Sequence, residues 1–474
     1  MFRMLNAAAA VITAFTAVTA RAEEPVPREY DGPVETAEPV AGSDHGEAEA
    51  PTSTATTTSA TTTTSTSMPT TAEVKAEDPG EQAFLPPRHG LSLEKADMDV
   101  GKAHFAPGKG LSLVSKDERF AFGLSLRTGF MYTMVHHNAP GADPKAQQGV
   151  EIRRFRVVFQ GHVFGKHNKY FFQLAFAPRE VQLRDGTLHS HPVYDAYMQF
   201  ERFKNATLRV GMYRPQYSRE RLIQDINPLL IDRSTINGEF NLDRDIGLDL
   251  RSEDFLGLGK LRYFAGVFLG KGRNVEGLGD FGLLYTGRVD VMPLGKFDDY
   301  DASDQTRMKK LRMSFGAAYA YQDNAKNDRG TIGAPPADGG TTDYHHATAD
   351  LLLKWAGFYL EAGYLFRAGR RKPGTIEGPG KTIPDAARNG QGWFAQLAFL
   401  IPRTYVEPAF RVGQIYGLRR GETALGDSGE IGGGLNYYFA GHNLKLQADY
   451  FRLYKEGEVK HGDDQLRVQL QVAF

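Results

Sequence analysis

The last ten residues, Gln465-Leu466-Arg467-Val468-Gln469-Leu470-Gln471-Val472-Ala473-Phe474, constrain the fold more than any other stretch. Leu466, Val468, Leu470, Val472 and Phe474 fall on one face of a strand and Arg467, Gln469 and Gln471 on the other, because strand side chains alternate with a period of two. One face calls for apolar surroundings and the other for water. A tilted strand of about 9 to 11 residues crosses a hydrocarbon layer, so this segment has the length and pattern of a transmembrane strand. Half-buried strands of soluble sandwiches share the alternation, and the remainder of the chain decides between the two.

Arg3, an apolar run from Leu5 to Ala20 and the small residues around Ala22 predict a secretory signal over residues 1–22. A membrane anchor is the competing reading, but the run is short and rich in Ala and Thr. No other stretch reaches the roughly 18 consecutive apolar residues of a spanning helix, so a membrane span has to be built from strands. The 474 residues include no cysteine, which excludes disulfides and thiolate metal sites. A net charge of −1 gives no bulk electrostatic basis for binding nucleic acid. Residues 23–83 are acidic and then Thr-rich, and they lack the apolar side chains that offset chain entropy. They predict a disordered periplasmic tether. Residues 84–119 predict a short N-terminal periplasmic segment, in which Gly-Leu-Ser-Leu occurs at Gly90 and Gly110; the phrase recurs at Gly123.

Over residues 120–474 the alternation recurs in sixteen segments, beginning near 120, 151, 168, 193, 206, 245, 260, 283, 311, 346, 358, 391, 405, 430, 443 and 465. The even count and the spacing predict an all-β fold, a closed antiparallel transmembrane barrel. Short links at Gly165 to Asn168, Arg202 to Asn205, Ala356-Gly357, Pro402 to Thr404 and Ala440 to Asn443 alternate with long ones. A barrel with turns at one end and loops at the other requires that alternation; a sandwich does not. One link departs from it: Pro293 to Lys310 is long where a short turn belongs, which marks an error or an inserted periplasmic loop.

Charge on the lipid face costs up to about 2 to 4 kcal/mol at the midplane, so the charged faces must point inward. Arg127, Arg154, Arg156, Arg209, Arg251, Arg262, Arg288, Arg411, Lys445 and Arg467 are the candidate pore-lining cations. Basic residues outnumber acidic ones on the inward faces, which predicts an anion path; charges that merely pair across the wall are the alternative. Phe130, Tyr132, Phe200, Tyr213, Phe358, Tyr416 and Phe474 sit at strand ends and suit interfacial girdles. The glycines Gly432 to Gly434 predict close packing.

A terminal Phe on the apolar face resembles the C-terminal signature of outer-membrane barrels. Gly211-Met212-Tyr213-Arg214-Pro215-Gln216-Tyr217-Ser218-Arg219-Glu220, Asp232-Arg233-Ser234 and Arg244-Asp245-Ile246-Gly247 resemble the phosphate-selective porin O and P family, as do Phe105 to Leu111 and Arg153-Arg154-Phe155-Arg156. The resemblance implies a homotrimeric, sixteen-stranded channel in the Gram-negative outer membrane, with its third loop folded into the lumen. That loop, from Arg214 to Arg244, carries Arg214, Arg219, Arg221, Arg233 and Arg244 as candidate constriction residues, nearly balanced by Glu220, Asp225, Asp232, Glu239 and Asp243. The expected function is passive diffusion of small hydrophilic solutes biased to anions, phosphate among them, with outer-membrane lipid as the surrounding partner and no cofactor or metal. A structural, adhesive or enzymatic barrel without an open channel is the alternative. The pairs His136-His137 and His345-His346, and His189 to His191, fall in predicted external loops without carboxylates at metal-binding spacing. No nucleophile elbow or phosphate loop is present, so catalysis has no positive support.

Overall fold

The computed structural model describes residues 100–138, 141, 146–184, 187–188, 190–273, 282–375, 386–418 and 423–474. The expected signal and tether lie outside the described residues.

Sixteen strands form a closed ring. They are β3 (Ala121–His136), β4 (Gln147–His162), β5 (Asn168–Ala175), β8 (Val193–Phe200), β9 (Thr207–Tyr213), β10 (Asp245–Ser252), β11 (Leu261–Phe268) and β12 (Leu284–Val291). The ring continues through β13 (Arg312–Ala325), β14 (Thr341–Trp355), β15 (Phe358–Lys372), β16 (Gly390–Phe399), β17 (Val406–Gly417), β18 (Ser428–Tyr438), β19 (Leu444–Lys455) and β20 (Asp463–Ala473). Each pairs antiparallel with the next, and β20 closes on β3 from Asp464 opposite His136 to Ala473 opposite Arg127. Phe474 completes the seam, its N–H donating to the Leu126 carbonyl and its carbonyl accepting from the Leu126 N–H. A two-strand hairpin, β6 (Leu183–Arg184) and β7 (Thr187–Leu188), lies in the second long loop.

The wall is apolar outside and polar inside. On β20, Val468 and Leu470 are 36% and 39% exposed whereas Gln469 between them is 0% exposed. No soluble core has that polarity, and a lipid-facing wall requires it. The tightest turn, Ala356-Gly357, has both residues at positive φ (52° and 95°), the geometry that matches the twist of a two-residue hairpin.

Residues 100–115, ahead of the barrel, form strands of their own. β1 (Val100–Ala106) and β2 (Gly110–Ser115) form a hairpin, and β2 pairs with β3 through Leu111 opposite Leu124 and Leu113 opposite Phe122. Two copies of the Gly-Leu-Ser-Leu phrase, at Gly110 and Gly123, are thus strand partners, on the same edge of β3 that β20 occupies further along. The copy at Gly90 lies outside the described residues.

The long link at residues 292–311 is an inserted loop. It starts at the turn end and folds inward, burying Met292, Asp299, Ala302, Ser303 and Asp304. Ser303 Oγ donates to Glu407 (2.7 Å), Lys354 Nζ donates to the Asp298 carbonyl (2.8 Å) and Asp301 stands 2.7 Å from His442. Tyr213 corrects the girdle reading: it shares the Arg209 face of β9, is 2% exposed and packs edge-on to Tyr197 and Phe268 inside the barrel. His345 and His346 also differ from expectation, because both lie within β14 and not in an external loop.

Candidate pore and its lining

Arg153, Arg154 and Arg156 owe their positions to a break in register. Gly129 pairs with Arg154 and Phe130 with Ile152, leaving Arg153 as the extra residue of a β-bulge. A bulge places two consecutive side chains on one side of the sheet. Arg154 and Arg156 point inward as the alternation predicts, and Arg153 joins them to bond Asp232. Strict alternation hides Arg153; the sequence signal is the Arg153-Arg154 doublet interrupting the period.

The third loop, residues 214–244, enters the lumen as expected. Its backbone would be left unsatisfied there, and the polar inner wall supplies the partners. Gln471 donates to the Ile226 carbonyl (2.7 Å), Lys445 to that of Pro228 (3.0 Å), and Asn436 and Gln447 to that of Leu229 (2.8 and 3.1 Å). Asp449 accepts from the Ile231 N–H (3.2 Å). The short helix Thr235–Phe240 is capped by Ser234, whose Oγ accepts from the Asn237 N–H (3.0 Å) and donates to Glu220 (2.6 Å). The helix side chains Ile236 and Phe240 press on bare glycines of the wall: a Cβ at Gly392 would meet Ile236 at 2.9 Å and Phe240 at 3.1 Å. In the same way Gly434 leaves room for Leu230.

Arg219 ties the loop to the opposite insertion. Fully buried, it bonds Asp299 of the 292–311 link (2.6 Å), Asp350 of β14 (2.6 Å) and Asp290 of β12 (3.0 Å). Arg262 and Arg288 share the same three carboxylates. The backbone joins as well, through the Ala302 N–H and the Asn227 carbonyl (3.1 Å). Segments entering from the two ends therefore meet in the lumen and fill its β12–β14 side.

On the β3–β4–β20 side a cavity of about 1760 Å³ remains in the loop-end half of the lumen. Of the candidate residues, Arg154, Arg156, Arg411, Arg467, Arg221, Arg233 and Arg244 line it. Arg153, Arg179, Lys271, Arg273, Arg329 and Arg388 join them; most come from loops, where no strand period reports orientation. Thirteen basic residues face seven acidic ones in this lining.

The other candidates are placed elsewhere. Arg262, Arg288 and Arg219 belong to the buried web. Arg251 bonds Asp249 (2.6 Å), and Arg209 bonds Gln199 (2.9 Å) and stacks over Tyr197. Arg214 donates to loop carbonyls, Lys445 supports Pro228, and Arg127 lies partly exposed towards the turn end of β3.

Pairing divides the lining. Arg156 bonds Glu180 and Asp225, Arg467 bonds Asp449 (2.8 Å) and Asp232 (2.8 Å), and Arg411 faces Glu430 at 2.9 Å. In the loop, Arg233 pairs with Asp225 (2.6 Å), Arg244 with Asp195 (3.0 Å) and Arg221 with Asp243. Among the described residues Arg154 has no carboxylate within 4.0 Å; its one bond is to the Ile231 carbonyl (3.4 Å). Burial alone would raise the loop carboxyls of Asp225 and Asp232, but the surrounding guanidinium groups, foremost Arg156 for the first and Arg153 for the second, hold both well below the usual range. Among the described residues no group of three or more His, Asp or Glu is arranged to hold a metal ion.

The family model for phosphate-selective porin O and P matches residues 126–474. Structures similar in fold include the outer-membrane channel DcaP of Acinetobacter baumannii (10% identity, 76% of this chain and 99% of that one, TM-score 0.46). OmpT of Vibrio cholerae (8%, 76% and 100%, 0.45) and OpdL of Pseudomonas aeruginosa (12%, 74% and 98%, 0.39) are also similar. No curated protein matches the sequence significantly. A sixteen-stranded wall that is apolar outside, a third loop folded into a charged lumen and a family match spanning the whole ring from Leu126 onward lead to one assignment: the chain belongs to the phosphate-selective porin O and P family and is an outer-membrane channel protein of the Gram-negative type.

Proposed function

We propose that the barrel passes small hydrophilic solutes by passive diffusion with a preference for anions, phosphate among them, and that it assembles as a homotrimer as the family resemblance implies. The observation that carries the anion preference is the excess of thirteen basic over seven acidic residues around the cavity, with Arg154 free of any carboxylate partner among the described residues. Guanidinium groups stay charged and present forked donors. Those already paired offer an anion some of their donors while their carboxylates keep it from binding irreversibly, which conduction requires.

Polar groups continue the path below the cavity. Ser125, Arg127 and Gln173 on β3 and β5, with Gln469 and Gln471 on β20, each carry a buried polar atom with no protein partner. Buried polar groups without protein partners call for water.

Reversal potentials in planar bilayers under a KCl gradient test the reading. The wild type is expected to reverse on the chloride side, and Arg154→Gln with Arg127→Gln to move the potential toward zero. Phosphate is expected to lower the chloride current in a concentration-dependent way. Cation preference would overturn the anion claim, and cross-linking that yields only monomers would overturn the trimer.

A further inference from the structure

We infer that the cavity selects organic anions carrying an apolar body over inorganic anions; the inference rests on the channel reading above and names its substrate class. The inner face of β20 is wholly polar through Arg467, Gln469 and Gln471. Its neighbours are not. Phe451 on β19, Gln465 on β20 and Val135 on β3 form one rung of the wall, and Asp449, Arg467 and Thr133 form the next inward-facing rung towards the turn end. Leu453 continues the apolar side chains one step towards the loop end, and Ile332 from the 326–340 loop lines the same cavity. Val135, Leu453 and Ile332 are each partly exposed within it.

Apolar side chains facing a charged, wet lumen are the informative exception to the inside-out pattern. Val135 sits about 7 Å, two strand residues, above the rung of Arg467 and Leu453 about 14 Å above it, whereas Arg154, paired with Gly129, lies about 14 Å below. A carboxylate held by Arg467 would lay a chain of a few carbons against Val135, with Leu453 and Ile332 bordering the same cavity further towards its loop end. Binding sites for small molecules combine such an apolar surface with a few placed polar groups. Inorganic phosphate would use the guanidinium groups and leave the apolar strip wetted, gaining nothing from it.

The test is calorimetric titration of the full-length detergent-purified protein with hexanoate, acetate, inorganic phosphate and hexanamide. Hexanoate is expected to bind roughly ten-fold or more tightly than acetate, since partial burial of four extra methylenes supplies that gap, with hexanamide the weakest. The double variant Val135→Thr, Ile332→Thr, the first change isosteric and the second one carbon shorter, is expected to close most of the gap while leaving phosphate binding unchanged. Equal binding of acetate and hexanoate, or a gap that persists in the double variant, would overturn the inference. Conductance of the same preparation in KCl reports separately on the channel reading: a silent barrel that still discriminates hexanoate from acetate keeps the site and removes the channel.

Discussion

Arg219 shows what one residue can hold in this lumen. Its guanidinium serves three carboxylates contributed by two strands and the 292–311 link. Removing one partner of a buried ionic cluster leaves uncompensated charge and costs about 3 to 5 kcal/mol. Arg219→Met is therefore expected to lower the temperature at which the barrel loses its heat-modifiable gel mobility and to add open-channel noise as the two insertions loosen. Acid acts on the same loop through Asp225 and Asp232. Both carboxyls are depressed below their ordinary 3.8, so the stability they contribute is complete above that value and is lost only as pH falls through their much lower folded values. The seating that these two carboxylates give the loop, read from the pH dependence of single-channel conductance, should thus persist from about pH 7 to about pH 4 and be lost only well below that range. A transition near neutral pH would show that other groups seat the loop.

At the scale of elements, the third loop depends on the wall being cut away to receive it. Gly392→Val places atoms against Ile236 and Phe240, and overpacking of that kind costs about 1 to 3 kcal/mol; a lowered unfolding temperature with normal membrane insertion is the expected outcome. The strands themselves were legible because lipid on one side and water on the other enforce a two-residue period. That legibility fades where the cause fades. β4 starts at Gln147 and β14 at Thr341, ahead of the expected 151 and 346, because Gln147-Gln148 and Thr341-Thr342-Asp343 show no apolar alternation. The bulge at Arg153 and the inward turn of Tyr213 follow from register and not from composition. Residues 292–311 are recognisable from the sequence as an error or an inserted periplasmic loop but not as a loop folded into the lumen, since Asp299 and Ser303 reveal their lodging only through partners on remote strands. The strand period groups the strand arginines on one face, but the division between those that line the cavity and those that lock the insertions depends on where the loops settle, which no strand period reports.

The barrel is a wall with its polarity reversed and a lumen divided in two: insertions that run from the Arg219 clasp at β12–β14 across to β18, β19 and β20, and an arginine-lined cavity in the loop-end half on the β3–β4–β20 side. The chain has no cysteine, so single introduced thiols report on this division without background. The most direct measurement compares Thr133→Cys, on the cavity wall, with Val468→Cys, on the apolar outside of the neighbouring strand, in bilayers exposed to a negatively charged, water-soluble thiol reagent. The account predicts that the current through Thr133→Cys falls on modification and that Val468→Cys does not react. Reaction at Val468 together with protection at Thr133 would mean that the water runs on the other side of the wall, and would contradict it.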